Sequence, residues 1–112
     1  MLIWARRASN YVDRLSESRF CADRLVQDAT IRCLEVIGEA AGRISDDFRV
    51  QHPDIPWAKI TGMRNRLTHD YAHVGMSQVW LSATHDCPEL IAQLEPLVPA
   101  SADGITDEWE FI

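Results

Sequence analysis

The stretch from Cys21 to Ile44 constrains the fold most. It contains no proline, and Leu25, Ala29, Cys33, Val36, Ile37, Ala40, Ala41 and Ile44 recur at three- and four-residue steps. That spacing predicts one long helix with a single apolar stripe. A helix of this kind must cover its stripe with other elements, so it sets the centre of a core. Gly38, Ala40, Ala41 and Gly42 are small, and a second helix could approach closely there. Glu39 sits among them. A carboxylate is rarely buried unless paired, so Glu39 reads either as a solvent-edge residue or as a supporting part of a site.

Three further helices are expected around this one. Trp4, Ala8, Tyr11, Val12 and Leu15 predict a helix over residues 2–17, ended by the polar run Ser16-Glu17-Ser18-Arg19. Ser45 to Phe48 can cap a short helical turn. Pro56 suits the first position of a helix running to about Thr68, with Trp57, Ile60, Met63 and Leu67 facing inward. Gly62 in its interior is a mild cost and could mark a close helix contact. Residues 72–76 read as a connection and Ser77 as a cap. The last helix should cover residues 78–94, with Val79, Trp80, Ala83, Cys87, Leu90, Ile91 and Leu94 inward and a kink or break before Pro88. No stretch alternates like a strand. The expected fold is all-α, an up-and-down bundle of four to five helices over residues 1–97, followed by an acidic tail at 98–112.

The chain has 112 residues and a net charge of -6. All 11 Lys and Arg lie in residues 1–77 together with 10 of the 17 acids, so the excess acidity belongs to residues 78–112. A polyanion cannot lie along such a surface non-specifically, but a local basic site around Arg64 and Arg66 is compatible with it. No apolar run reaches the length that spans a bilayer, which is about 20 residues. The first residues place a short apolar patch before Arg6-Arg7, the reverse of a secretory signal, so the expected location is cytoplasmic. Cys21, Cys33 and Cys87 are scattered and odd in number, which suits reduced thiols better than a disulfide framework.

Residues 63–71, Met-Arg-Asn-Arg-Leu-Thr-His-Asp-Tyr, concentrate the chemistry. Arg64 can grip a phosphate with two parallel hydrogen bonds. His69 can move a proton near neutral pH, and Tyr71 adds a phenol. In a regular helix five steps turn a side chain by roughly 140°. Arg64 and His69 therefore converge only if the helix ends near His69, or if they meet across a substrate or a symmetric interface. Asn65 lies one turn before His69 and shares its face. An Arg and a His near a helix C-terminus can also do no more than offset the helix dipole.

Several stretches together resemble the HepT-like family of HEPN-domain proteins. They are residues 34–41 (Leu-Glu-Val-Ile-Gly-Glu-Ala-Ala), Ile55-Pro56-Trp57, residues 62–71, Val79-Trp80 and Cys87-Pro88-Glu89-Leu90. The resemblance spans roughly residues 20–97; the first helix looks shorter than is usual there, and the acidic extension lies outside the pattern. It implies a homodimeric, metal-independent ribonuclease acting as the toxin of a type VII toxin–antitoxin system, with tRNA or mRNA as substrate and no cofactor. The implied partner is an MntA-like minimal nucleotidyltransferase that neutralises the toxin by moving AMP from ATP onto the motif tyrosine. By position, the implied catalytic pair is Arg64 and His69, and the modified residue is Tyr71; Asn65, on the His69 face, and Glu39, in the small-residue patch, are read as supporting residues. The residue types suit this. Cutting RNA through its 2′-OH needs a base, an acid and a cation at the phosphate. One histidine cannot easily serve both sides of a phosphate, whereas a two-fold dimer brings two.

Two rivals stand beside this reading. A non-catalytic HEPN companion of a nucleotidyltransferase fits the acidic balance, and a plain helical dimerisation unit would need neither Arg64 nor His69. His69 and His73 have a spacing that suits a metal, but no third ligand is evident nearby.

Overall fold

The computed structural model describes residues 1–70 and 73–98. Every regular element among them is helical, with no strand. Leu2, Ile3, Ala5, Ala8 and Val12 bury one face of α1 (Leu2–Val12). This helix is shorter than the expected 2–17, because the polar run after it starts a new element instead of forming a loop. Ser16 accepts a hydrogen bond from the Arg19 amide at 3.2 Å and caps α2 (Glu17–Ala22). Phe20, with no exposed surface, anchors this helix, and its ring lies 5.4 Å from that of Trp80.

Asp23 ends α2 and caps the next helix by accepting from the Val26 amide at 3.2 Å. The long central helix α3 is therefore Arg24–Gly42, not Cys21–Ile44. Its buried face is Thr30, Ile31, Cys33, Leu34, Ile37, Gly38 and Ala41. Leu25, expected in the stripe, is 80% exposed, because the first turn of α3 meets the core through Val26 and α2 through Gln27 instead. Ser45 caps α4 (Asp46–Gln51) as expected, accepting from the Phe48 amide at 3.3 Å. The Trp57 indole N–H donates to the His52 carbonyl at 3.0 Å and closes the turn that launches α5 (Trp57–His69). Pro56 sits at the cap itself, one position earlier than expected.

Gly75, not Ser77, opens α6 (Met76–Leu81). The break expected before Pro88 takes the form of a π-helical turn, Ser82–Asp86, that leads directly into α7 (Cys87–Leu94). Proline lacks an amide donor, and its ring crowds the carbonyl four residues earlier; a wider turn relieves both. A 3-10 turn, Glu95–Leu97, follows.

The central α3 packs against α1, α2, α5 and α6, and α1 also packs against α7. Their shared core includes Ala5, Phe20, Ile37, Ala41, Leu67, Val79, Ala83 and Leu90. Four long rods (α1, α3, α5 and the joined α6–α7) with two short helices match the expected bundle. Tyr71 and the acidic tail from residue 99 lie outside the described residues.

Candidate functional site

The geometry of the motif follows from how α5 meets α3. The two helices run antiparallel: Gly42 shares a groove with Thr61, whereas Leu34 shares one with Met63 and Arg66. Their closest approach is at Gly38. A Cβ built there would overlap Arg64 Cβ and lie 2.8 Å from Arg64 Cγ and 3.1 Å from the Ile60 carbonyl oxygen. Only glycine leaves this space, so the stem of Arg64 lies directly on the α3 backbone. Gly62 and Gly42, by contrast, have nothing within 4 Å of an added Cβ. The small-residue patch on α3 does admit a close helix, but through one residue, and Gly62 is not a contact point among the described residues.

Seated in this way, Arg64 is half-buried and lines a groove of about 320 Å³ together with Gly38, Glu39, Gly42, Thr61 and Asn65. Nη1 donates to Asn65 Oδ1 at 3.2 Å. Guanidinium has five N–H donors, and no carboxylate among the described residues pairs with this one. The others remain for an oxyanion. Asn65, expected on the His69 face, thus turns toward Arg64. Glu39 is in the groove but binds Arg43, whose Nη2 lies 2.9 Å from Glu39 Oε1.

His69 is the last residue of α5 and is exposed. It does not line the Arg64 groove, as the five-step rotation requires. Within one chain, then, Arg64, Asn65 and Glu39 come together, while His69 stands about 7.5 Å farther along the axis. The adjacent carboxylate is engaged with the next histidine: Asp70 Oδ1 contacts His73 Nδ1 at 2.5 Å.

The comparison with known families covers most of the chain. Residues 1–97 match the family described as Ribonuclease HepT-like. The chain belongs to the HepT-like ribonuclease family. A protein of Thermococcus cleftensis, named as the probable ribonuclease HepT, is 41% identical over 78 residues, covering 70% of this chain and 71% of the relative. A Methanocaldococcus jannaschii protein named provisionally as an RNase is 35% identical over 89 residues, covering 80% and 74%. Another from Caldanaerobacter subterraneus, also named provisionally as an RNase, is 34% identical over 87 residues, covering 78% of each. No solved structure matches at a significant level.

Other features of this HepT-like chain bear on the chemistry. Arg66 does not join Arg64 in one basic site. It lines a second, mainly apolar groove of about 290 Å³ with Leu34, Ile37, Ile60, Met63, Cys87 and Leu90. Two steps along a helix turn a side chain by about 200°, so the expected basic pair is split between two faces of α5. Burial, with Asp86 and Cys33 nearby, pushes the Cys87 thiol up to about 12. It stays protonated and is no nucleophile at neutral pH. Among the described residues no three His, Cys, Asp or Glu gather as metal ligands, and no helix is long and apolar enough to cross a membrane. Sequence reasoning did not single out Arg43, the residue that caps α3 and pairs with Glu39; the signal for that pair was an acid and a base four positions apart.

Proposed function

We propose that this chain is a metal-independent endoribonuclease and the toxin of a type VII toxin–antitoxin pair. The observation that carries the reading is Arg64, seated on Gly38 with its guanidinium paired to no carboxylate among the described residues and followed at the helix end by exposed His69, in a chain that matches the HepT-like family over residues 1–97. The names of the relatives support an RNA substrate.

Arg64 holds a phosphodiester oxygen and the charge that grows there as the 2′-oxygen attacks phosphorus. His69 takes the 2′-OH proton or gives one to the departing 5′-oxygen. The 2′-oxygen to phosphorus bond forms, the bond to the 5′-oxygen breaks, and a cyclic phosphate remains. His69 of one protomer serves one side, and the same residue of its two-fold mate serves the other. Tyr71 is the off-switch. Its phenolic oxygen attacks the α-phosphorus of ATP held by an MntA-like nucleotidyltransferase, pyrophosphate leaves and the phenolic proton is lost. The attached AMP adds a bulky anion two residues from His69, which blocks the site and repels RNA.

The test is cleavage of end-labelled RNA in EDTA by wild type, Arg64→Ala and His69→Ala. Cyclic-phosphate ends from wild type alone support the reading; equal cutting by all three, or cutting that EDTA abolishes, refutes it. The second reading, a non-catalytic companion of a nucleotidyltransferase, is favoured by the net charge of -6. It predicts that wild type leaves RNA intact while His69→Ala keeps full affinity for the nucleotidyltransferase.

A further inference from the structure

The Arg64 groove poses an electrostatic problem for RNA. The charged side chains lining it are Arg64 and Glu39, so the lining alone is neutral. The whole chain, at -6, does not attract a polyanion. A phosphate approaching Arg64 would meet a bare carboxylate across the groove. What changes the balance is Arg43, one residue past the end of α3, whose guanidinium is held 2.9 Å from Glu39. Its side chain is 78% exposed, so it stands beside Glu39, which lines the groove, with most of its donors facing solvent. The other arginine at this end of α3, Arg49, is already engaged, with Nη2 donating to the Ala41 carbonyl at 2.6 Å.

We infer that Arg43 is a second RNA-phosphate contact, held over the Arg64 groove by Glu39, and that the RNA strand runs from Arg43 past Arg64 toward His69. The antiparallel packing of α3 and α5 sets this order, because Gly42 and Thr61 lie at one end of the groove and His69 lies beyond the other. Glu39 has two effects. It fixes the direction of Arg43, and its own charge works against the phosphate. The Glu39–Arg43 pair is exposed, and such pairs are weak, so a phosphate can take over the guanidinium at little cost. This inference rests on the ribonuclease reading and adds a substrate-binding residue to it.

The probe is a short single-stranded RNA carrying 2′-O-methyl groups, which the proposed reaction cannot cut. Its affinity for full-length protein is measured across a salt series for wild type, Arg43→Ala, Glu39→Gln, Arg64→Ala and Arg24→Ala. Arg24 is the control: it is exposed, opens α3, and stands about 28 Å from Arg43 along the axis. One lost single-strand phosphate contact lowers the slope of log affinity against log salt by about 0.7, or about fivefold in affinity at 0.1 M salt. Arg43→Ala should show that loss and a matching rise in KM with unchanged kcat on cleavable RNA. Glu39→Gln should tighten binding, and Arg24→Ala should do nothing. If Arg43→Ala keeps the wild-type slope while Arg64→Ala loses it, Arg43 is only a helix-end cation and the inference falls alone. Weaker binding by Glu39→Gln would also overturn it. If Arg64→Ala binds as wild type does, the ribonuclease reading of this groove falls too.

Discussion

Replacing Gly38 by alanine tests the packing that seats Arg64. The added methyl would overlap Arg64 Cβ and lie 2.8 Å from Cγ and 3.1 Å from the Ile60 carbonyl oxygen. Two of these neighbours are backbone or the first side-chain carbon, which cannot swing away, so α3 and α5 must separate. Overpacking of this kind costs about 1–3 kcal/mol. Alanine's better helix propensity returns about 1 kcal/mol. The net loss is about 0–2 kcal/mol, which for a domain near this size lowers Tm by up to about 15 °C. Gly62→Ala supplies the contrast. It meets nothing within 4 Å, so propensity alone acts and Tm should rise by a few degrees, on the order of 0.5–1 kcal/mol. Circular-dichroism melts of the two variants and wild type, at equal protein concentration, measure the difference. Activity adds a second reading: displacing Arg64 by about 1 Å should lower RNA cleavage on the order of 100-fold. If Gly38→Ala melts above wild type, as Gly62→Ala should, then the two helices do not meet at Gly38 as described and the seating of Arg64 is wrong.

Four further outcomes are expected. Iodoacetamide at pH 7–8 should label exposed Cys21 and leave buried Cys33 and Cys87 unmodified, as intact-mass analysis would show. The Cys87 thiol is raised from 9.0 to about 12 in the folded chain, so folding binds a proton that the unfolded chain releases. Its contribution is complete below pH 9.0 and is lost as pH rises toward 12; urea midpoints across that window should fall more steeply for wild type than for Cys87→Ala. Asp23→Ala removes the cap of α3 and should cost about 1 kcal/mol by denaturant titration, whereas His69→Ala, at an exposed site, should abolish cleavage and shift the midpoint by less than about 0.5 kcal/mol.

Periodicity alone located the long rods, because an apolar stripe at 3.6-residue spacing has few other ways to be buried. It also placed a break before Pro88, since a missing amide and a bulky ring act locally. What it missed were decisions made by contact between distant residues. Glu17–Ala22 is too polar to announce itself as a helix; Ser16 starts it, and burial of Phe20 beside Trp80 holds it. Leu25 belongs to the stripe by spacing and still faces water, because α2 and the core meet the first turn of α3 through Val26 and Gln27 instead.

The site divides in the same way. The sequence by itself determined which groups are available: a permanent cation, an imidazole five residues on, an amide beside the cation and a carboxylate among glycines. Those are properties of residue type and need no fold. Only the tertiary structure decided which of them meet. Gly38 and Gly62 are alike in sequence, yet one is crossed by α5 at the root of Arg64 and the other faces open space. Arg64 and Arg66 read as a basic pair, but the angular step along a helix sends them into different grooves. The helical turn of α3 alone brings Arg43 to Glu39, but only the crossing of α3 by α5 at Gly38 sets that pair beside Arg64.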